Sequence, residues 1–454
     1  MSQERALSFS ENLALLPGTL VPAEFGRFRQ HIDPVWIEEA LAATGTASVR
    51  RRRLPAEQVV WTVLGMGLMR NESIDRVVAL LNLALPDPDD TTAAKSAISQ
   101  ARKRLGAEPM EYLFATTADH WAHQSADRHR WHGLALYGLD GTTQRVPDSK
   151  ENWDAFGGQC GNGTRNGSAY PQVRVVVVMA LRSHLLAAAY VSDYATGETT
   201  LARLFWDELP DDSLTIIDRA YLVADDLCAL RRSGENKHWL VPAKSTTRLR
   251  KVKKLGPSDW IVEIELSEAT RKKYPNLPFF VLARAIQYRK KGFPTRTLLT
   301  SLGNAELYPA RELIAMYHER WELELGYDEI KTHLLEREEA IRSRTPAGVR
   351  QELWGILIAY NLVRLEMERA ADEAKVEPTR ISFVNSVALI RYCWLVSTTP
   401  PLAPGRIPER LLALRRQLKL LLLPPRRTER RAPRVVKIKM SKWKRKSPTG
   451  NGRK

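Results

Sequence analysis

The sequence LALYGLDGT (residues 134–142) is a short apolar run that ends at an aspartate followed by glycine and threonine. A second run, LTIID (residues 214–218), repeats this pattern and ends at Asp218. Runs of this length and composition predict buried strands, and a strand end is where a polar side chain leaves a sheet and enters a cleft. We therefore predict an α/β domain with Asp140 and Asp218 at two strand ends. Taken singly, each aspartate is more commonly a turn or capping residue.

Further runs complete the α/β domain. Residues 173–181 and 185–191 are predicted strands, and residues 199–209 and 220–232 are predicted helices. The predicted order is three strands, a helix, a strand and a helix. The next stretch, from about residue 237 to 302, has apolar or alternating runs such as WIVEIEL and TRTLLTSL, which predict a β-rich insertion within this domain.

Helical spacing dominates both flanks of the α/β domain. The predicted helices cover residues 34–43, 55–69, 73–83, 91–105, 351–374, 382–396 and 409–423. We predict four regions: an N-terminal helical domain (1–125), the α/β domain (126–350), a C-terminal helical region (351–425) and a disordered basic tail (426–454).

One N-terminal helix, TTAAKSAISQARKRL (residues 91–105), carries Lys95, Arg102, Lys103 and Arg104 on or near one side. Basic and small polar side chains on one helix suit a DNA groove, but an ordinary surface helix has the same pattern. The run Arg50–Arg53 is equally ambiguous. These features alone therefore do not establish DNA binding.

The charge of the chain points to a polyanionic partner. Lys and Arg number 69 and Asp and Glu 52, for a formal net charge of +17. Nucleic acid is the leading candidate, and a solvated basic surface or an anionic membrane surface is the alternative. The tail from Arg426 to Lys454 contains thirteen Lys or Arg and a single acid, so the rest of the chain is only mildly basic.

Three cysteines, Cys160, Cys228 and Cys393, are odd in number and far apart. They predict neither a disulfide framework nor a zinc site, and they fit a reducing cytosol. The N-terminus has early charges and does not predict a secretory signal. The sequence has no uninterrupted run of 18 apolar residues, so no membrane span is predicted. We therefore expect a cytoplasmic protein with no membrane partner.

A long helix is predicted from about residue 309 to 335. Its segment YHERWELELGYDEIK (residues 317–331) contains a third candidate acid close to a tyrosine and to basic side chains. At about 100° per residue, Tyr317, Arg320, Glu324 and Lys331 fall within about 60° of one another on a helix. One face then has a carboxylate flanked by a phenol, a guanidinium and an ammonium. Asp328 lies one turn further on the same face, so this geometry does not choose between the two acids. A surface helix with an Arg320–Glu324 ion pair has the same spacing.

The same residues resemble a known family. Tyr317, two residues, Arg320, three residues, Glu324, six residues and Lys331 reproduce the signature of the insertion-sequence "four" family, a branch of the DDE transposases. Asp140 in DGT and Asp218 in DRAY resemble the first two acids of that family, with Glu324 as the third. The N-terminal SAISQARKRLG resembles its N-terminal domain, and a β-rich insertion between the second and third acids is expected in this branch. The resemblance covers about residues 10–375.

The resemblance implies a ribonuclease H-like catalytic domain and a DNA transposase that binds terminal repeats, cleaves the element ends and joins them to target DNA. Asp140, Asp218 and Glu324 would bind two Mg²⁺ ions, with Mn²⁺ as a substitute and Asp140 as the bridging ligand. Double-stranded DNA is the implied partner, and a homodimer in a synaptic complex, located at the prokaryotic nucleoid, is the implied assembly. The implied phosphate contacts are Tyr317, Arg320, Lys331 and, more weakly, Arg219.

Two other functions remain open from the sequence. The first is a catalytically silent, transposase-derived regulator that binds DNA. The second is a structure-specific nuclease of the same fold. A purely structural basic protein would leave the three acids unexplained.

Overall fold

The computed structural model describes residues 31–47, 54–80, 95–159, 170–266, 268–275, 277–290, 293–336, 341–397 and 407–423. The predictions that concern the run Arg50–Arg53, Cys160 and the basic tail lie outside these residues. So does the predicted start of the helix over residues 91–105.

In the described part of the chain, the strands form one nine-stranded sheet in the order β3-β2-β1-β4-β5-β9-β8-β7-β6. Strands β1, β4 and β5 run parallel, β2 pairs with β1 in antiparallel orientation, and β3 pairs with β2 in the same way. The predicted order of strands and helices is met except that a short helix, Lys150–Phe156, separates the first two strands. The strands are β1 (Ala135–Arg145), β2 (Gln172–Ala180), β3 (Leu186–Asp193), β4 (Ser213–Ile217), β5 (Lys237–Pro242), β6 (Leu249–Gly256), β7 (Asp259–Glu265), β8 (Phe280–Tyr288) and β9 (Arg296–Thr300).

The stretch predicted as a β-rich insertion is an extension of the same sheet. Strand β5 is buried along its whole length and pairs in parallel with β4, so it belongs to the central sheet. Strand β9 pairs with β5, and β8, β7 and β6 follow as antiparallel neighbours. The lysine-rich strand β6 therefore lies at the outer edge of the sheet.

Helices cover both the N-terminal and the C-terminal flanks. They are α1 (Pro34–Ala43), α2 (Ala56–Leu68), α3 (Ile74–Leu80), α4 (Lys95–Leu105), α5 (Glu108–Ala118), α6 (Gln124–Arg128), α7 (Lys150–Phe156), α8 (Glu198–Ala202), α9 (Ala224–Arg232), α10 (Glu268–Lys273), α11 (Ala310–Glu319), α12 (Trp321–Asp328), α13 (Pro346–Ala374), α14 (Phe383–Ser397) and α15 (Ile407–Leu420). A π-helical segment, Asp119–His123, joins α5 to α6. None of the helices that the structure describes has both the length and the apolar content needed to cross a bilayer.

The long helix α13 is the centre of the helical layer. Its residues belong to the same apolar core as α2, α5, the sheet and α15. Helix α2 crosses α13 with almost no space between the two backbones. A Cβ atom built on Gly67 would lie 2.5 Å from the carbonyl oxygen of Gly355, and one on Gly355 would lie 2.6 Å from a methyl carbon of Val63. Only glycine permits this approach.

Buried charges fix the other contacts of α13. Glu352, fully buried, accepts from the guanidinium of Arg70 at 2.7 Å. Burial raises the pKa of Glu352, but the nearby Arg70, Arg102 and Arg342 outweigh this and hold the pKa below its usual range. Arginines from the N-terminal helices and from the segment before α13 therefore meet at one carboxylate.

Further along α13, Glu366 binds His31 and Glu368 accepts from Ser125 at 2.6 Å. The side-chain amide of Asn361 bonds both backbone groups of Leu186 on β3, at 2.8 and 2.9 Å. The helix thus joins the N-terminal helices to the sheet, because each buried polar group on it needs a partner.

We predict that Gly355→Ala destabilises the protein. Alanine in a helix interior normally gains about 1 kcal/mol over glycine, but here its methyl group would also meet the carbonyl oxygen of Val63 at 2.9 Å. Overpacking of this kind costs about 1–3 kcal/mol, so we expect a net loss in the free energy of unfolding by urea titration. Gly303→Ala, where the nearest atom is 3.8 Å away, is the control and should change stability by less than about 0.5 kcal/mol. A more stable Gly355→Ala variant would contradict the close crossing.

Candidate active site

The first two acids lie side by side because of the strand register. Strands β1 and β4 are parallel, and Leu139 is the partner of Ile217. Asp218 follows the last residue of β4, as predicted, whereas Asp140 lies within β1, which continues to Arg145 and pairs Asp140 with Val177 of β2. The two aspartates are neighbours because the pairing of β1 with β4 ends just before them. The carboxylate of Asp140 accepts from the N–H of Gly141 at 2.8 Å, and that of Asp218 accepts from the N–H of Arg219.

The segment that carries the third acid is helical but irregular. The sequence predicts one regular helix over about residues 309–335. In the structure α11 ends at Glu319 and α12 begins at Trp321. Arg320 between them keeps helical dihedrals (φ −52°, ψ −27°), but the turn tightens, because its N–H donates to Tyr317 and its carbonyl accepts from Leu323, each three residues away. After Asp328 the chain winds as a π-helix over Glu329–Leu334. The wider π-helical turn changes the direction of every side chain after Asp328, so an α-helical wheel does not describe where Lys331 points.

Two glycines allow α12 to lie directly on the sheet. A Cβ on Gly138 of β1 would lie 2.7 Å from a methyl group of Leu323, and one on Gly326 would lie 2.2 Å from the methyl group of Met179. The hydroxyl of Tyr327 donates to the backbone carbonyl of Asp140 at 2.6 Å. Helix α12 is thus fixed over the end of β1, and Glu324 is carried with it.

Arg320 lies among all three acids. Its guanidinium donates to Glu324 at 3.0 Å. Burial lowers the pKa of Arg320, but Tyr317 and the carboxylates of Asp218, Glu324 and Asp140 raise it above its usual value. A single side chain that interacts with three carboxylates from three different elements places those acids at one site.

Asp328, the alternative third acid, points elsewhere. Its side chain is exposed, accepts from the hydroxyl of Thr332 at 2.7 Å and lies 3.4 Å from His333. Glu324, by contrast, pairs with Arg320, the guanidinium that also interacts with Asp218 and Asp140. The shared arginine therefore favours Glu324 over Asp328 as the third acid.

The predicted phosphate-binding residues differ in their burial and in their distance from the acids. Burial raises the pKa of the Tyr317 phenol, which is 7% exposed and interacts with Arg320 and Asp218. Burial lowers the pKa of Lys331, and the charge of Asp140 opposes this, so the ammonium lies within reach of that carboxylate. Arg219 has an exposed side chain and contacts Asp218 through its backbone N–H.

The structure adds a fourth acid, Glu198, which the sequence analysis missed. A Cβ on Gly141 would lie 2.5 Å from the carboxyl carbon of Glu198. This carboxylate pairs with Arg174 of β2 and accepts from the hydroxyl of Tyr221 at 3.4 Å. Glu198 occupies the first turn of α8, where an acid is an ordinary helix-capping choice, so the sequence contained no functional signal.

Comparison with known proteins identifies the family. Residues 22–115 match the model of the insertion element 4 transposase N-terminal region, and residues 131–362 match that of the transposase DDE domain. The chain belongs to the insertion-sequence "four" family of DDE transposases. It is a DNA transposase, and both the ribonuclease H-like fold and the family expected from the sequence are confirmed.

Two relatives of the transposase come from Escherichia coli strain K12. The transposase InsG of insertion sequence element IS4 is 39% identical over 91% of this chain and 92% of its own length. A candidate transposase, InsZ, is 37% identical over 52% of this chain and 76% of its own. Among solved structures, the piggyBac transposase in a synaptic complex with hairpin DNA matches 88% of this chain and 85% of its own, at 12% identity and a TM-score of 0.41. That similarity is too weak to support an inference.

DDE transposases use divalent metal ions, and the donor set of this transposase fits one. All the donors at the site are carboxylates, the ligands that hard dications prefer. Burial, with the charges of Glu198 and Asp218, raises the pKa of Asp140 to about 6, although Gly141 and Arg320 oppose the rise. Arg320 offsets only part of this negative charge, and a dication would neutralise the rest. Among the described residues, no three His, Cys, Asp or Glu side chains are gathered as a preformed metal site.

We predict that Asp140→Asn stabilises the metal-free transposase above pH 6. The pKa of Asp140 rises from 3.8 to about 6 on folding, so the folded state is penalised wherever the carboxylate is ionised and relieved once it is protonated. We expect a gain of about 2 kcal/mol at pH 7, less than the full 1.36 kcal/mol per pKa unit because the group is partly exposed. The gain should vanish below about pH 4, where both states are protonated.

Urea unfolding in EDTA across this pH range measures the effect, and the exposed Asp328→Asn is its control, with an expected change below about 0.5 kcal/mol. Added Mg²⁺ should stabilise the native protein more than Asp140→Asn. If the free energy of unfolding of Asp140→Asn equals that of the native protein at every pH, the ionised Asp140 carboxylate does not destabilise the folded state and the prediction is wrong.

Proposed function

We propose that Asp140, Asp218 and Glu324 are the catalytic acids with which this transposase cleaves DNA at the ends of its element and joins them to target DNA. The observation that supports this most directly is the position of Arg320. Its guanidinium pairs with Glu324 and is influenced by both aspartates. Three acids from β1, β4 and α12 carry more negative charge than this one guanidinium can neutralise, and bound dications would offset the remaining repulsion.

We propose Mg²⁺ as the resident ion, with Mn²⁺ as a substitute, held by Asp140, Asp218 and Glu324. Such ions, when bound, activate the attacking oxygen and stabilise the leaving oxygen at phosphorus. Asp140, which lies within β1 beside the end of β4, would hold the ions together with Asp218 and Glu324.

The cations of the site are proposed to hold the DNA backbone. Arg320 and Lys331 lie beside the acids, and a phosphate oxygen accepts from a guanidinium or an ammonium with a charge-assisted hydrogen bond. In the DNA-free protein, Arg320 offsets part of the negative charge of the acids. A bound phosphate would replace Glu324 as the hydrogen-bond acceptor of this guanidinium. Tyr317 would donate a further hydrogen bond. Arg219 is exposed beside Asp218 and is the weaker contact.

The duplex beyond the active site is proposed to run along the sheet toward β6. Strand β6 is five positions from β4, about 24 Å at the usual strand spacing. Its exposed cations include Lys253 and Lys254, and the ammonium of Lys251 lies 3.7 Å from the ring centre of Trp260. Phosphates can be neutralised there without base-specific contact.

Helix α4 is a second proposed DNA contact. Lys103 and Arg104 are exposed, whereas Arg102 donates to Gln351 at 2.9 Å and to Ser343 at 3.1 Å. Arg102 therefore anchors α4 on α13, and the cations expected near one side of this helix divide between structural and exposed positions. Lys95, at the start of α4, lies 3.6 Å from Asp75.

We propose that two copies act together on double-stranded DNA at the nucleoid. Each chain has one set of three acids, and an element has two ends that must be joined to one target. A homodimer in a synaptic complex meets this requirement. A silent DNA-binding regulator, by contrast, has no use for acids held close together at a cost in electrostatic repulsion.

We predict that Glu324→Ala abolishes cleavage, whereas Asp328→Ala does not. The assay is cleavage of a labelled duplex that carries the terminal repeat, with Mg²⁺. Loss of an outer partner of a metal ligand costs about 10–100-fold, so loss of a ligand should reduce the rate by at least about 100-fold. Binding of the same duplex should persist in both variants. If Asp328→Ala is the inactive variant and Glu324→Ala still cuts, the assignment of the third acid is wrong.

We also predict that Lys253→Ala combined with Lys254→Ala weakens the salt dependence of DNA binding. Each lost phosphate contact lowers the slope of log K against log salt concentration by about 0.9, so the double variant should lose up to about 1.8. Fluorescence anisotropy at several salt concentrations measures the slope. Arg416→Ala, an exposed cation on α15, is the control and should leave the slope unchanged. An equal slope in the native protein and the double variant would rule out this path.

A further inference from the structure

His184 lies in the turn between β2 and β3 and is fully buried. Both of its ring nitrogens face carboxylates: Nε2 lies 2.7 Å from Glu322, and Nδ1 lies 3.2 Å from Glu329. A carboxylate can only accept a hydrogen bond. Each ring nitrogen that carries a proton therefore donates it to a glutamate.

Glu329 has two further partners on α13. It accepts from the hydroxyl of Tyr360 at 2.8 Å, and its other oxygen lies 3.4 Å from Arg364. The Nε of Arg364 donates to the carbonyl of Ser183 at 2.8 Å, which returns the chain of contacts to the turn that holds His184. We call His184, Glu322, Glu329, Tyr360 and Arg364 the His184 cluster. It joins the β2–β3 turn, the helical segment from α12 and the central helix α13.

Each of the two glutamates in the cluster lies two residues before a residue of the proposed active site. Glu322 is two residues before Glu324, and Glu329 is two residues before Lys331. Residues two apart point to roughly opposite sides of an α-helix, and also of the wider π-helical turn, where two residues make a little less than half a turn. When Glu322 and Glu329 are held on the buried side, Glu324 and Lys331 are turned toward the cleft. The cluster thus sets the rotation of the segment about its axis at both places.

The cluster also explains the change in helix type. The π-helix begins at Glu329, the residue with the most partners in the cluster. π-Helical turns are rare and less regular than α-helical ones, so the segment needs tertiary contacts to keep this winding. Glu329, tied to His184, Tyr360 and Arg364, supplies those contacts at the first π-helical residue.

We propose that His184 is a positioning residue for DNA cleavage: bound through its two ring nitrogens to Glu322 and Glu329, it holds the helical segment so that Glu324 and Lys331 face Asp140. His184 itself touches neither DNA nor metal in this scheme. The inference rests on the proposed roles of Glu324 and Lys331, but its structural part does not depend on cleavage.

The test compares His184→Gln with His129→Gln in the full-length protein. His129 is a second histidine paired with a buried carboxylate, Glu368 at 3.4 Å, and it precedes β1 at the end away from Asp140. The first measurement is hydrogen exchange of residues 321–334 in metal-free, DNA-free protein. Exchange in this segment should rise in His184→Gln and stay at the native level in His129→Gln.

The second measurement is the single-turnover cleavage rate and the Mg²⁺ concentration that gives half of the maximal rate. In His184→Gln the rate should fall about 10–100-fold, as for other residues that orient a metal ligand, and the Mg²⁺ midpoint should rise. The affinity for the terminal duplex should change little. In His129→Gln, any loss of thermal stability should leave the rate and the midpoint of the folded protein unchanged.

Tyr360→Phe removes only the hydroxyl that donates to Glu329, and it provides the answer if His184→Gln does not fold. It should change exchange and rate in the same direction by a smaller factor. If exchange and the Mg²⁺ midpoint are unchanged in these variants, the inference is overturned and His184 has only a structural role. If the native protein does not cleave with Mg²⁺ or Mn²⁺, it is the proposed function that fails, and the exchange result still decides whether His184 holds the segment.

Discussion

The structure depends on a helix that is buried together with its charges. Glu352, Arg364, Glu366 and Glu368 lie on α13 with almost no exposed surface, and an unpaired charge in such a place would cost several kcal/mol. Each of them therefore requires a partner at a defined position. The partners come from the N-terminal helices, the β2–β3 turn, the segment after α12 and the C-terminal helix α15. Satisfying them brings together parts of the chain that the sequence presents as separate regions.

The active site combines this helical layer with the sheet. Two of its acids owe their positions to backbone register, since Leu139 and Ile217 are paired on parallel strands. The third owes its position to packing, because Gly138 and Gly326 let α12 rest on β1 and β2. Arg320 then offsets part of the negative charge in the DNA-free protein. On the proposed function, this guanidinium has two successive partners, first Glu324 and then a phosphate, so substrate binding and release of the third acid would be one event.

Much of this could be predicted from the sequence, and the exceptions have physical causes. Asp140 and Asp218 follow apolar runs whose length indicates buried strands, so both strands were predictable, but the continuation of β1 past Asp140 to Arg145 was not. Glu324 and Asp328 share one face of an ideal helix. They are separated by Arg320, which pairs with Glu324 and interacts with both aspartates, whereas Asp328 contacts Thr332 and His333 of its own segment. The tighter turn at Arg320 and the π-helical winding leave no trace in apolar spacing over so few residues. Glu198 begins a helix, as many acids do, and only its contact with Gly141 reveals its place. The domain limits at residues 125 and 350 stay a prediction.

The glutamate–arginine contacts of α13 can form only late in the synthesis of the chain. Arg70 and Glu352 are 282 residues apart, and at about 5–20 residues per second the ribosome needs about 15–55 seconds to make the second after the first. During that interval α2 lacks the helix against which its glycine face packs. Glu329 is made near the end of the interval, and it precedes its partners Tyr360 and Arg364 by 31 and 35 residues. A chain that ends before residue 346 would contain all three acids but neither the support for the third nor the partner of the N-terminal helices. On the proposed function, catalytic competence is thus acquired late in translation, and incomplete chains would lack a finished nuclease site.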